Sequence, residues 1–177
     1  LFRSFKKQKL LIDNRASIGF DQLRIATGST NRVLSVDGLA PDQILYLRTM
    51  AQSQAIVDQV QTKNRVLIIG GGFIGMELAA SLRSLGKAVT VIEVGPQLMG
   101  RAIPPEIAFI VLEKHEQAGV VAHLDTTVTT VMTKGGSYTA ELSNGNPVVC
   151  DLIILGVDRK SVGEGKNVEI GGGRLSQ

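Results

Sequence analysis

Three glycines and one glutamate have the types and the spacing needed to bind a dinucleotide. Gly70, Gly72 and Gly75 form a GxGxxG pattern, and Glu93 follows at the distance, about 20 residues, at which such patterns carry an acid. In this pattern the first glycine allows a tight turn, the second lets the backbone approach a pyrophosphate, and the third lets the following helix lie close to the strand. A carboxylate at position 93 could accept hydrogen bonds from both hydroxyls of an adenosine ribose, and it would repel a 2′-phosphate. The pattern therefore predicts a site for NAD(H) rather than NADP(H).

The elements that must position these residues are also visible in the sequence. Apolar residues 66–69 predict a buried strand, a helix is expected to open near Phe73, and residues 88–92 predict a second strand that ends on Glu93. The pyrophosphate would lie at the amino end of the helix, where unpaired N–H groups and the helix dipole favour an anion. A GxGxxG pattern alone is a weak signal because glycines also occur in ordinary strand-to-helix turns. The strand, the helix and the acid together make it specific.

Composition excludes several classes of protein. The 177 residues are 44% hydrophobic, enough for one core and part of a second, and no apolar run approaches the roughly 20 residues of a membrane span. A formal charge of +3 gives little reason to expect a nucleic-acid partner, and the basic cluster Arg3, Lys6, Lys7 and Lys9 is interpreted as a solvated strand edge. The single cysteine, Cys150, excludes an intrachain disulfide and is predicted to have a packing role. These features favour a reducing, cytoplasmic setting.

The chain before the glycine pattern contains mostly short elements. Residues 9–13 and 20–25 predict strands separated by a polar turn, and their apolar side chains have few partners in the first forty residues. This segment is interpreted as the end of a domain that begins before residue 1. A strand at 44–47 and a helix at about 49–62 then lead to the glycine pattern.

After Glu93, a helix is predicted from Glu106 to Gly119, with Ile107, Ile110, Val111 and Leu112 on or near one face. The apolar period then changes to two, which predicts a strand at 120–124 and an antiparallel meander of strands at 128–132, 138–142 and 147–150.

Residues 151–157 are almost wholly apolar, which suits the middle of a parallel sheet. The order of elements predicts an α/β fold over residues 41–157: a doubly wound, Rossmann-like parallel sheet with an antiparallel β-meander. Ligands of such sheets bind beyond the carboxyl ends of the strands, which would bring Gly156 beside the glycine turn.

Four segments taken together resemble a known family. These are Ala26-Thr27-Gly28, Tyr46-Leu47-Arg48-Thr49, Phe73-Ile74-Gly75-Met76-Glu77 and residues 151–156. The chain resembles the FAD-dependent pyridine nucleotide-disulfide oxidoreductases, in particular the NADH:ferredoxin reductases that serve oxygenases, over about residues 9–157.

The resemblance implies an FAD domain, split in sequence, around an inserted NAD domain. Hydride would pass from NADH to FAD, and single electrons would pass to a ferredoxin-type iron-sulfur protein. Backbone groups of Ala26, Thr27 and Gly28 would contact FAD, Arg48 would reach the flavin nucleotide, and Glu77 would face the flavin and pair with a lysine of the FAD domain. Phe73 would lie by the nicotinamide. The expected cofactor-binding residues of the glycine unit and the last strand are Gly70, Gly71, Gly72, Phe73, Ile74, Gly75, Glu77, Glu93 and Gly156.

Several alternatives remain open from the residues themselves. Glu77 could instead be a first-turn acid that favours the helix dipole, and Arg48 could be a solvated arginine at a helix start. His115 and His123 lack metal-ligand spacing and are interpreted as surface or packing residues. Neither a catalytic acid, base or nucleophile nor a metal site is expected, so the chain alone should be catalytically silent. The alternatives for the parent protein are a rubredoxin reductase, an NADH oxidase, a nitrite reductase flavoprotein subunit, or a non-catalytic NAD-binding module.

Three regions are therefore expected. Residues 1–40 would be the carboxyl-terminal part of the first FAD-binding segment, and residues 41–157 the NAD-binding domain. Residues 158–177 depart abruptly from the family pattern and predict a disordered, non-native tail. Asp158-Arg159-Lys160-Ser161 is one translation of GAT CGG AAG AGC, the opening of a short-read sequencing adapter, which suggests adapter read-through as its origin.

Overall fold

The computed structural model describes residues 9–12, 16–24, 29–30, 34–100, 102–156, 160–161, 169–170 and 173–174. The chain divides into two compact units. The larger unit is Asn31–Asp158, and the smaller one combines Leu1–Thr30 with Arg159–Gln177.

The first described element of the smaller unit is an antiparallel hairpin of β1 (Lys9–Ile12) and β2 (Ala16–Gly19), in which Leu10 lies opposite Ile18. The prediction of a strand at 20–25 is wrong for residues 20–24, because the second strand of the hairpin lies earlier in the chain. Only three residues join the two strands, so pairing resumes at Ala16, and the chain bends at Asp21 after β2 ends. A two-residue strand, β3 (Ser29–Thr30), follows.

The larger unit is built on a five-stranded parallel sheet, as predicted. Its strands are β4 (Ile44–Tyr46), β5 (Arg65–Ile69), β6 (Ala88–Ile92), β7 (Val120–His123) and β11 (Leu152–Leu155), in the order β4-β11-β5-β6-β7. Strand β11, the last of these five in the chain, lies between β4 and β5, and its residues Ile153 and Ile154 are fully buried. Burial on both faces explains why residues 152–155 are uniformly apolar.

Three helices cover one face of this sheet: α1 (Met50–Val60), α2 (Phe73–Ser84) and α3 (Pro105–Gln117). Alternate strand residues such as Ile68 and Ile154 share a buried cluster with Ile56 of α1 and Met76 of α2. Thr49 begins α1 with a capping box, accepting a hydrogen bond from the Gln52 N–H at 3.2 Å.

The contact face of α3 differs from the one that its apolar residues predict. Ala108 is buried and Val111 and Leu112 are partly buried against the core, but the side chains of Ile107 and Ile110 are 46% and 49% exposed. The buried stripe follows i, i+3 and i+4 from Ala108, which turns Ile107 and Ile110 outward.

An antiparallel meander covers the other face of the sheet, where a helix layer would complete a doubly wound fold. Its strands β8 (Val128–Lys134), β9 (Ser137–Leu142) and β10 (Val148–Cys150) confirm the predicted three-stranded meander. Gly135 and Gly136, with φ of 60° and 80°, form the turn between β8 and β9. Cys150 is 1% exposed within the apolar cluster beneath the meander, which confirms its packing role.

An ion pair between Arg65 and Asp151 lies at the amino ends of two parallel strands, and a hydrogen bond from Ser137 connects it to the meander. Asp151, directly before β11, accepts hydrogen bonds from Arg65 Nη2 at 2.6 Å and from Ser137 Oγ at 3.2 Å through Oδ1. Its Oδ2 accepts the Arg65 backbone N–H at 3.1 Å. The Arg65 hydrogen bond is the main cause that holds the pKa of the Asp151 carboxyl well below its usual range.

Three further two-residue strands follow: β12 (Lys160–Ser161), which pairs with β3, and β13 (Glu169–Ile170), which pairs with β14 (Gly173–Arg174). The other residues from 157 to 177 lie outside the described ones, so the disordered, non-native tail stays a prediction. Within the described ranges, no helix has the length and hydropathy to cross a bilayer.

Candidate functional site

The glycine turn lies at the carboxyl ends of the central strands. Gly70 follows β5 directly with φ of 110°, a left-handed conformation that favours glycine and makes the predicted tight turn. The Gly70 N–H donates to the Ile92 carbonyl at 2.8 Å, and the Gly156 N–H donates to the Ile69 carbonyl at 2.8 Å. Gly156 therefore lies beside the turn, as predicted.

Two glycines let the start of α2 approach β5 and β11. A Cβ added to Gly75 would overlap the Gly70 carbonyl oxygen, and one added to Gly156 would lie 2.9 Å from the Gly75 Cα. Ala79, one turn further along α2, is fully buried. The fold alone therefore accounts for small residues at these positions.

Packing does not account for Gly72. A Cβ there would meet only the Gly156 carbonyl oxygen within 4 Å, at 3.7 Å, and the backbone φ of −75° is open to any residue. Gly72 is the N-cap of the 12-residue helix α2 and provides no side-chain cap, which leaves the first N–H groups of the helix for a ligand. These N–H groups and the helix dipole suit an anion.

Glu93 directs its carboxylate into the turn. Its Oε2 accepts the Gly71 N–H at 2.7 Å, and its Oε1 accepts the Gly95 N–H at 2.8 Å. The backbone of Glu93 extends the sheet, because its N–H donates to the His123 carbonyl at 2.9 Å. A Cβ on Gly71 would lie 2.7 Å from the Leu98 Cδ2 atom, so Gly71 serves the shape of the turn.

These residues border a cleft of about 560 Å³. Gly70, Gly72, Phe73, Glu93 and Gly156 all line it, which brings five of the predicted residues into one place. Glu93 is the only ionisable residue among the described residues that line the cleft. The cleft thus offers amide donors and one carboxylate, but among those residues no cation that would pair with a 2′-phosphate.

The remaining predicted residues lie elsewhere. Ile74 is half-buried and does not line the cleft. Glu77 is exposed and is the fifth residue of α2; the first turn of that helix contains no acid, so the alternative of a first-turn acid is wrong. Arg48 is exposed between β4 and the N-cap of α1. Ala26, Thr27 and Gly28 lie outside the described residues, so their predicted contact with FAD stays a prediction.

Sequence reasoning missed part of the cleft wall. Thr126 and Val128 line the cleft after β7, at the edge where ligands of parallel sheets bind, so the strand order could have indicated them. Leu34 and Met99 also line it, and no sequence signal pointed to them. Met99 is held with φ of 59°, and its N–H donates to the Gly71 carbonyl at 2.7 Å.

His115 of α3 connects this helix to α2. Its Nδ1 lies 2.8 Å from the Val111 carbonyl oxygen and its Nε2 lies 3.2 Å from the Met76 carbonyl oxygen. These contacts confirm a packing role for His115. His123 is half-buried in β7.

Comparisons with known proteins agree with this geometry. A family model described as pyridine nucleotide-disulphide oxidoreductase matches residues 3–174. The chain is 34% identical over 151 residues to a 3-phenylpropionate/cinnamic acid dioxygenase ferredoxin--NAD(+) reductase component of Photorhabdus laumondii. The aligned region covers 85% of this chain and 38% of that protein. It is also 32% identical over 139 residues to a rubredoxin-NAD(+) reductase of Pseudomonas putida, and this alignment covers 78% of this chain and 36% of that protein.

A solved structure is similar over the same region. The ferredoxin reductase for the CYP199A2 system from Rhodopseudomonas palustris matches with a TM-score of 0.76 and 35% identity, over 90% of this chain and 40% of that chain. The chain therefore spans somewhat more than a third of the length of the relatives that it matches.

Proposed function

Because the chain belongs to the pyridine nucleotide-disulphide oxidoreductase family, we propose that its larger unit binds NAD(H) in the cleft beyond the carboxyl ends of β5 and β6. The pyrophosphate would receive hydrogen bonds from the turn at Gly70 and from the first N–H groups of α2. The observation that carries this proposal is the glycine at position 72. The packing of the protein leaves room for a side chain there, whereas a bound pyrophosphate would occupy that room. Phe73, 51% exposed at the start of α2, would contact the nicotinamide portion.

Glu93 supports a preference for NADH over NADPH. Each oxygen of a carboxylate can accept more than one hydrogen bond, so the oxygens that hold Gly71 and Gly95 retain capacity for ribose hydroxyls. A 2′-phosphate in the same place would meet this carboxylate with no lysine or arginine among the described residues that line the cleft. Repulsion between the two anions would weaken NADPH binding.

For the parent protein we infer an FAD-dependent NADH reductase that serves a ferredoxin-type iron-sulfur protein. Bound FAD would supply the redox chemistry, taking hydride from NADH and releasing electrons singly. The residues of this chain would bind and orient the nicotinamide nucleotide, and Arg48 and Glu77 are proposed to face the FAD domain. Support comes from the relatives, which are named as reductases of ferredoxin and rubredoxin. A cytoplasmic location is proposed on the ground of the single, buried, unpaired Cys150.

A rubredoxin reductase is the second candidate for the parent, favoured by the 32% identity to the Pseudomonas putida protein. Electron-acceptor assays of the full-length protein separate the two, because the better acceptor will give the higher rate at equal concentration. A non-catalytic NAD-binding module is the third. Anaerobic NADH should bleach the flavin absorbance band of the full-length protein, and an unchanged band would favour that binding module.

Nucleotide titrations test the binding proposal directly. The 177-residue chain is titrated with NADH and NADPH by isothermal calorimetry, and we expect NADH to bind at least about tenfold more tightly, a difference of about 1.4 kcal/mol. Equal or tighter binding of NADPH would contradict the role of Glu93. Absence of binding of either nucleotide would contradict the proposed function as a whole.

A further inference from the structure

The segment of residues 34–39 is attached to the meander. The Val131 N–H of β8 donates to the Asp37 carbonyl at 2.8 Å, and a parallel bridge joins Asp37 to Thr130. Gly38 has φ of 77°, and a Cβ there would overlap the Val131 carbonyl oxygen. Glycine is therefore needed for the segment to lie this close to β8.

Two buried apolar side chains anchor the same segment in the core. Val36 and Leu39 are 8% and 9% exposed and belong to the cluster beneath the meander, and the Leu39 N–H donates to the Val36 carbonyl at 3.2 Å. Backbone and side-chain contacts thus hold residues 36–39 to the meander independently of any ligand.

The segment and β8 reach the cleft together. Leu34 lines the cleft and packs, partly buried, against the same apolar cluster as Val128. Val128 lines the cleft at the first position of β8, where the pairing register with β9 shifts between Val128 and Thr130. Leu34 and Val128, with Ile69 and Ile92, give the cleft an aliphatic wall, and the glycine turn and Glu93 give it its polar groups. A planar base ring that covers an aliphatic wall removes apolar surface from water, which favours binding.

We propose that Leu34 is a positioning residue for the bound dinucleotide: its side chain covers a base ring, and occupancy of the cleft stabilises the segment of residues 34–39 against β8. The inference rests on the proposed NAD(H) function. It adds to the site a segment that lies more than 30 residues before the glycine pattern and that is not part of it. Because the ring contact is apolar, the contribution of Leu34 is equal for NADH and NADPH.

The first experiment measures NADH affinity for variants of the 177-residue chain. Leu34→Ala should raise the Kd for NADH by about tenfold, whereas Leu34→Met, which keeps most of the volume, should stay within about twofold of the wild type. Leu85→Ala is the matched control, because Leu85 is 63% exposed and does not line the cleft. The ratio of NADPH to NADH affinity should be unchanged in Leu34→Ala, unlike in a Glu93 variant.

The second experiment needs no variant and so does not depend on the folding of Leu34→Ala. Hydrogen exchange of the wild-type chain is followed with and without NADH, and the amides of residues 34–39 and of Val131 should exchange more slowly when NADH is bound. Wild-type affinity in Leu34→Ala together with unchanged exchange would overturn the inference and leave the proposed function intact. A wild-type chain that does not bind NADH would overturn both.

Discussion

The Oε2 atom of Glu93 lies 2.7 Å from the backbone nitrogen of Gly71. With Oε1 on the Gly95 N–H at 2.8 Å, one carboxylate holds both the turn after β5 and the loop after β6. Glu93 therefore shapes the cleft before any nucleotide arrives. The effect on cofactor choice that we propose for Glu93 and its effect on loop structure would act through the same two oxygen atoms.

Replacing Glu93 should consequently affect both binding and stability. In Glu93→Gln, the side-chain NH₂ would face a backbone N–H, so one of the two amide hydrogen bonds is lost. We expect NADH affinity to fall by at least about tenfold and the free energy of unfolding to fall by about 2 kcal/mol, the scale of a hydrogen bond to a charged group. Calorimetric titration and urea unfolding measure the two effects. Glu113→Gln is the control, since Glu113 is exposed on α3 and does not line the cleft, and a Glu93→Gln chain that matches this control in both measurements would contradict the role of Glu93.

Alanine at Gly72 and at Gly75 should separate ligand binding from folding. Gly72→Ala adds a methyl group beside the cleft and should lower the unfolding free energy by about 1 kcal/mol or less, because alanine is a poorer N-cap than glycine, but it should lower NADH affinity by at least about tenfold. Gly75→Ala places a methyl group on the Gly70 carbonyl oxygen and should cost about 3 kcal/mol or more. Urea unfolding and NADH titration of both variants provide the comparison. Tight NADH binding by Gly72→Ala would show that this glycine is not at the pyrophosphate.

The thiol of Cys150 should be inert in the folded chain. Burial is the main cause that raises its pKa to about 12, and the side chain is 1% exposed. Because the thiolate is the reactive form, a disulfide reagent such as DTNB at about pH 8 should label the native chain only as fast as it unfolds. Denaturant should release the full thiol signal at once. Rapid labelling of the native chain would be inconsistent with the packing described here.

The Asp151 ion pair predicts a dependence of stability on pH. The pKa of Asp151 is lowered in the folded chain, chiefly by the hydrogen bond from Arg65, so the carboxylate stabilises the fold above the ordinary Asp pKa of about 3.9. This contribution is lost as the pH falls below that value towards the folded-state pKa. The wild type should therefore exceed Asp151→Asn in urea midpoint by a constant amount above about pH 5, and the difference should shrink below about pH 4.

Asp58→Asn is the matched control for this pH series, because the described contact of the Asp58 side chain is a hydrogen bond from Gln54 on the exposed side of α1. Its urea midpoint should follow the wild type more closely at every pH. A difference between wild type and Asp151→Asn that grows towards acid would have the wrong sign for a lowered pKa.

Local patterns predicted the central part of the fold correctly. The unit from β5 through α2 to β6 combines an apolar run, a glycine turn and a terminal acid within one stretch of chain, and each signal depends only on near neighbours. The meander was predictable for the same reason, since Gly135, Gly136 and the alternation around them specify a hairpin locally. The interior position of β11 in the parallel sheet followed from its lack of any polar face, but its neighbours β4 and β5 were not predicted.

Tertiary contacts decided the parts that sequence patterns did not predict. Which stripe of α3 is buried depends on the elements that pack against it, so Ile107 and Ile110 are exposed although they are apolar. Leu34 reaches the cleft only because residues 36–39 are held on β8, a contact between segments far apart in the chain.

The assignment of residues 158–177 as a non-native tail stays a prediction. The parent gene decides it, because codons unrelated to the adapter at positions 158–161 would refute read-through.

The turn at Gly135 and Gly136 has a practical consequence. An added Cβ on either glycine would meet no atom within 4 Å, and Ser137 next to them contacts Asp151 at the amino ends of the parallel strands, the end of the sheet remote from the cleft. We expect a fluorescent reporter inserted between these two glycines to disturb neither the buried clusters nor the cleft. This turn is therefore a suitable insertion point for a reporter of the nucleotide binding that we propose.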